Sequence, residues 1–124
     1  MNEVPVSEVL EKAKELINTP HKWARGGYAY CGMRHVSFEY PNANRFCSIG
    51  AIKRASLELD VQPYQAQSRL DETSFDLSGY CTITFNDTKN HRDVMRLFDE
   101  AIRQALQAEG KFCILGSKER KNEA

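Results

Sequence analysis

No run of apolar residues in this 124-residue chain approaches the roughly 18–20 that a membrane span needs. The opening Met1-Asn2-Glu3-Val4-Pro5 has neither the basic start nor the apolar segment of a secretory signal, so a cytoplasmic protein is expected. Net charge is zero, with 17 Lys and Arg against 17 Asp and Glu, which removes any overall pull toward nucleic acid or anionic lipid. Neither G-x-x-x-x-G-K-[ST] nor G-x-G-x-x-G occurs, so a nucleotide would not be held by a P-loop or a Rossmann turn. Cys31, Cys47, Cys81 and Cys113 stand singly, without a C-x-x-C pair, which argues against a zinc ribbon or a thioredoxin-type centre. In a cytosolic setting each reads as a reduced thiol behaving as a small buried apolar residue. His21, His35 and His91 form no H-x-x-x-H pair, so no metal or other cofactor is expected. There is no internal repeat and no low-complexity segment.

What is present is a chain of ordinary globular composition, 41% hydrophobic and 27% charged, long enough for one domain. Its organising stretch is Phe46 to Leu59. At helical spacing Cys47, Ser48, Ala51 and Ala55 make a stripe of small side chains that lets a neighbouring element approach closely. Val6 to Ile17 spaces Val6, Val9, Leu10, Ala13, Leu16 and Ile17 as an amphipathic helix, with Ser7 as its cap and Asn18-Thr19-Pro20 as its stop. Two alternating runs, around Tyr28 and Tyr30 and from Val36 to Tyr40, predict a hairpin about Gly32-Met33-Arg34. Asn44 is placed to cap the central helix.

Further on, Pro63 to Leu70 offers at most a short helical turn, and Asp71 to Gly79 reads as an exposed loop. Tyr80 to Phe85 has the alternation and β-branched content of a strand, ended by a turn at Asn86-Asp87-Thr88. The last helix runs from an Asn90 cap through Val94, Leu97, Phe98, Ala101, Ile102, Ala105 and Leu106 to Gly110. Phe112 to Leu115 could form an edge strand, and residues 117–124 a charged, frayed tail. The fold class that follows is α+β: three main helices with a small antiparallel sheet, as one compact domain over 1–116.

Three blocks carry a family resemblance: His21-Lys22-Trp23 after the first helix, Cys47-Ser48-Ile49-Gly50-Ala51-Ile52, and Ile83-Thr84-Phe85-Asn86-Asp87 leading into Asp93-Val94-Met95. The pattern resembles a small family of bacterial and phage proteins of unknown function, marked by C-[AS]-[IL]-G-A and an Asn-Asp turn before the last helix. Phe85 stands where that family has Trp, and Gly26 to Tyr40 looks particular to this chain. The resemblance implies a compact single domain in a bacterial or phage-infected cytoplasm, and it carries over no active-site residue.

Charge is unevenly placed along the chain. From Pro20 to Ala55 six cations face one anion; from Ser56 to Glu100 nine acids face four bases. The basic stretch is interleaved with aromatics, so Trp23, Arg25, Tyr28, Arg34 and Arg45 are the candidate ligand-binding residues, rings to stack a planar group and guanidinium groups to hold phosphate or carboxylate. The reading preferred is a non-enzymatic binding module for a small anionic ligand or an acidic protein surface, with an accessory or anti-defence role if phage-encoded. The alternative is a small cysteine-dependent enzyme with Cys47 as nucleophile, His91 as base and Asn86 or Asp87 as orienting group. A third reading is a structural or oligomerising domain, a homodimer included, using the last helix and Phe112 to Leu115.

Overall fold

A computed structural model describes residues 4–110 of the chain. Helix α1 (Val6–Leu16) is followed by a 3-10 turn at Pro20–Lys22, strands β1 (Ala29–Cys31), β2 (Arg34–Val36) and β3 (Arg45–Phe46), and helices α2 (Ser48–Leu59), α3 (Tyr64–Ser78), α4 (Thr82–Thr88) and α5 (His91–Ala108). The class is α+β, with the three expected helices and two more. Phe112 to Leu115, Cys113 and the charged tail lie outside the described residues.

Helix α2 is the centre of the packing. Ala51, Ile52 and Ala55 are wholly buried, and the small side chains let α1 lie close along it. Helix α1 in turn packs on α5, whose Val94, Leu97, Phe98 and Ala101 are fully buried. Asn90 caps α5 by accepting from the Asp93 amide at 2.9 Å, and Gly110 (φ +78°) takes the left-handed position after its end. Two other expected caps are replaced. Ser7 lies inside α1 and gives its amide (3.0 Å) and hydroxyl (2.7 Å) to the Glu109 carboxylate, joining the start of α1 to the end of α5. Asn44 accepts from the Gly32 amide at 3.1 Å and closes the hairpin, while Cys47 caps α2 with its sulfur, accepting from the Gly50 amide at 3.3 Å.

The hairpin turns at Gly32-Met33 as expected, but β2 ends at Val36, and residues 37–42 form turns instead of prolonging the strand. Strand β3 pairs with the other side of β1, giving the order β2-β1-β3, antiparallel throughout. Ala29 stands opposite both Val36 and Phe46 and faces the core; Tyr30 stands opposite both His35 and Arg45 on the other face. The sheet abuts the first turn of α2 so tightly that a Cβ on Gly50 would lie 1.9 Å from the Tyr28 carbonyl oxygen.

Two expectations are overturned. The segment read as loop is helix α3, whose buried stripe of Ala66, Leu70, Thr73 and Ser74 has helical spacing but little apolar content. The segment read as the best strand is helix α4. Thr82, Phe85 and Asn86 are buried at spacings of three and four, and Asp71 Oδ1 caps the helix by accepting from the Thr82 amide (2.9 Å) and hydroxyl (2.5 Å). The strand preference of Thr and Ile is worth little once such a cap and buried face are available. Accordingly Asn86-Asp87-Thr88 is the last turn of α4, not a strand-ending turn. No described helix is long and apolar enough to cross a membrane.

Candidate functional site

Four cations between Arg25 and Lys53 share one habit: each stands over an aromatic ring. Arg25 lies 5.0 Å from the Trp23 ring centre, Arg34 5.7 Å from Tyr40, Arg45 5.5 Å from Tyr30, and Lys53 5.5 Å from Tyr28 and 5.6 Å from Phe38. The ion pairs among the described residues are Lys12–Glu58, Lys14–Asp99, Arg54–Glu58, Arg69–Glu72 and Glu100–Arg103, and none uses these four cations. Backbone carbonyls steady two of them: Arg45 donates to the Gly32 carbonyl at 3.0 Å and Arg25 to that of Lys89.

The structure brings only part of the predicted set together. Arg45, Tyr30 and His35 form one row across the outer sheet face, with the Tyr30 and His35 rings edge to face at 5.4 Å. Arg34, opposite Cys31, belongs to the alternate face and reaches the Tyr40 hydroxyl at 3.4 Å. Tyr28 is exposed, beneath Lys53. Trp23 is half-buried, with Arg25 on its ring and its indole N–H donated to Asn86 Oδ1 at 2.7 Å. Sequence reasoning did not single out Lys53 as a binding candidate, while Tyr30 and His35 stood among the rings interleaved with the cations. That Tyr30 and His35 share a row with Arg45 is set by strand register, which a chain read in isolation does not display.

No hydrogen bond joins Cys47, His91 and Asp87 to one another among the described residues. The Cys47 thiol is buried, and burial pushes its pKa up, against the smaller lowering from the Gly50 and Ile49 amides. His91 packs on Trp23 and directs Nε2 to the Ile17 carbonyl at 2.8 Å; a carbonyl only accepts, so that nitrogen carries a proton and cannot take one. Asn86 is the group that sequence reasoning misplaced. Wholly buried, it accepts on Oδ1 from the Trp23 indole, the Ser48 amide (3.0 Å) and the Ser48 hydroxyl (2.7 Å). Its Nδ2 donates to the Ala24 carbonyl (3.0 Å) and to Asp87 Oδ1 (3.1 Å). Among the described residues no group of three or more His, Cys, Asp or Glu side chains could hold a metal ion.

The blocks that meet here, Trp23, Cys47 to Ile52 and Asn86-Asp87, all fall within residues 1–104, the span matched by the model of one protein family. The chain belongs to a family of unknown function, DUF6197. The DUF6197 match takes in α1 to α4 and most of α5. No curated protein and no solved structure matches the chain.

Proposed function

We propose that this DUF6197 protein is a non-enzymatic binding module, and that its basic, aromatic side captures a small anionic ligand or an acidic protein surface. The observation that carries this reading is the state of Arg25, Arg34, Arg45 and Lys53. Each is propped on a ring, and none is paired with a carboxylate among the described residues. A stacked guanidinium keeps its N–H fork directed outward at low entropic cost, which suits phosphate or carboxylate. If a phage carries the gene, such a surface suits an accessory or host-defence-countering role in the bacterial cytoplasm.

The enzyme reading is weaker, because the Cys47 thiol is buried with a raised pKa and His91 is turned to a carbonyl. The test is fluorescence anisotropy with two probes, tripolyphosphate competing against a labelled Glu-rich peptide. The native protein should bind the peptide in a salt-sensitive manner. Arg45→Glu and Lys53→Glu should each abolish binding while leaving the thermal midpoint nearly unchanged. Binding unaffected by both reversals, or absent at low salt, would refute the reading. Light scattering at several concentrations separates it from an oligomerising role.

A further inference from the structure

A pocket of about 180 Å³ opens beside the start of α2, against the Gly26-Gly27 loop. It is well below the roughly 300–1,000 Å³ of sites for drug-sized molecules, so its occupant is a side chain or a short-chain compound. Ile49 and Ile83 give it apolar walls, and the exposed Tyr28 and half-exposed Ile83 stand at its mouth. Cys47 and Asn86 contribute no open hydrogen-bonding edge: the sulfur already accepts from the Gly50 amide, and both ends of the Asn86 amide are occupied. Nor are the first amides of α2 open to an anion, since that of Ser48 is bonded to Asn86 and that of Gly50 to Cys47.

The charged side chain on this wall is Asp87. Its Oδ1 accepts from the Gly26 amide (3.2 Å) and from Asn86 Nδ2 (3.1 Å), which fixes the carboxylate at the rim. Its Oδ2 has no hydrogen bond and the group no ion pair among the described residues. A positioned, unpaired carboxylate over a narrow apolar slot calls for a cation on an apolar stem.

We propose that this pocket binds a primary alkylammonium group, its chain between Ile49 and Ile83 and its charge on Asp87. A lysine side chain of a partner protein and a free short amine share that chemistry. The proposal concerns the opposite charge from the anion-binding reading, and the two surfaces meet at Tyr28, which stands at this mouth and beneath Lys53.

The test is methyl NMR of isoleucine-labelled protein titrated with n-butylammonium, with butyrate as the isosteric anion. Ile49 and Ile83 should shift saturably with the ammonium and not with the carboxylate. Asp87→Asn, which keeps an acceptor for the Gly26 amide, should weaken the response about tenfold or more. Ile83→Ser, at a half-exposed site, should weaken it while the remaining spectrum stays native. A capped Gly-Lys-Gly peptide that binds tighter than butylammonium assigns the site to a partner's lysine; the reverse order assigns it to a free amine. Equal response to butyrate, no saturation by either cation, or full binding by a folded Asp87→Asn protein would overturn the proposal.

Discussion

Asn86 Oδ1 lies 3.0 Å from the backbone nitrogen of Ser48 and 2.7 Å from its hydroxyl, so a side chain of α4 completes the first turn of α2. With the Trp23 indole as a third donor, one oxygen joins three segments of the chain. Asn86→Ala leaves those buried donors without an acceptor and should cost about 2–4 kcal/mol. Urea unfolding measures the loss. Emission from Trp23, the sole tryptophan, should shift to the red in the folded variant as its N–H turns to water.

The Tyr28 carbonyl leaves no room for a side chain at Gly50. Gly50→Ala should destabilise by about 3 kcal/mol or more, because the obstacle is backbone and cannot rotate away. Gly32→Ala is the control. Nothing lies within 4 Å of its missing Cβ, so only the strain of φ +64° remains, about 1 kcal/mol. Thermal melts of the two variants should differ accordingly.

Thiol reactivity should rank Cys81 far ahead of Cys47. Cys81 is part-exposed, and its hydrogen bond with the Thr84 hydroxyl, then the Thr84 amide, holds its pKa below the ordinary value; burial holds that of Cys47 above it. Iodoacetamide labelling followed by peptide mass mapping reads the order. Rapid modification of Cys47 in folded protein would reopen the enzyme reading.

Ser56 is buried on α2, and its hydroxyl has no hydrogen-bond partner among the described residues. Ser56→Ala removes that unmet group and improves helix propensity, so it should stabilise by about 0.5–1 kcal/mol. A rise in the urea midpoint with an unchanged slope is the expected result.

Glu58 joins α1 to α2, 2.8 Å from Arg54 Nε and 3.2 Å from Lys12 Nζ, and Arg54 foremost lowers its pKa. A carboxylate with a lowered folded pKa contributes stability that is whole above its unfolded pKa and disappears as pH falls through the folded value. The pair is largely solvent-screened, so Glu58→Gln should cost only about 0.5 kcal/mol at neutral pH. The native and variant stability curves should converge under acid.

Where the chain misled, the cause is visible in particular residues. The α4 segment alternates Thr82, Ile83, Thr84, Phe85 as a strand would, and its helical signal rests on Asn86, a polar residue that no apolar pattern counts. The α3 stripe includes Thr73 and Ser74, whose hydroxyls are satisfied by the Arg69 carbonyl (2.8 Å) and the Tyr80 carbonyl (2.6 Å). Buried polar residues with local partners look like loop when partners are unknown. In the candidate binding region the alternation of rings and cations was legible from Trp23 to Arg45, whereas which cation meets which ring was not.

Helices α1, α2 and α5 and the hairpin turn at Gly32-Met33 were legible in the sequence alone, because the helices are written in apolar or small residues at a fixed period and the turn in turn residues, although the caps expected for α1 and α2 are not the ones used. The burial of Cys47 was expected from its place on the small-residue stripe, whereas tertiary structure alone decided that α4 is a helix and that Asn86 bonds Ser48 across 38 positions and Trp23 across 63. Those outcomes depend on hydrogen-bond partners far away in the chain, and local preference is too weak to select among partners that only folding brings near.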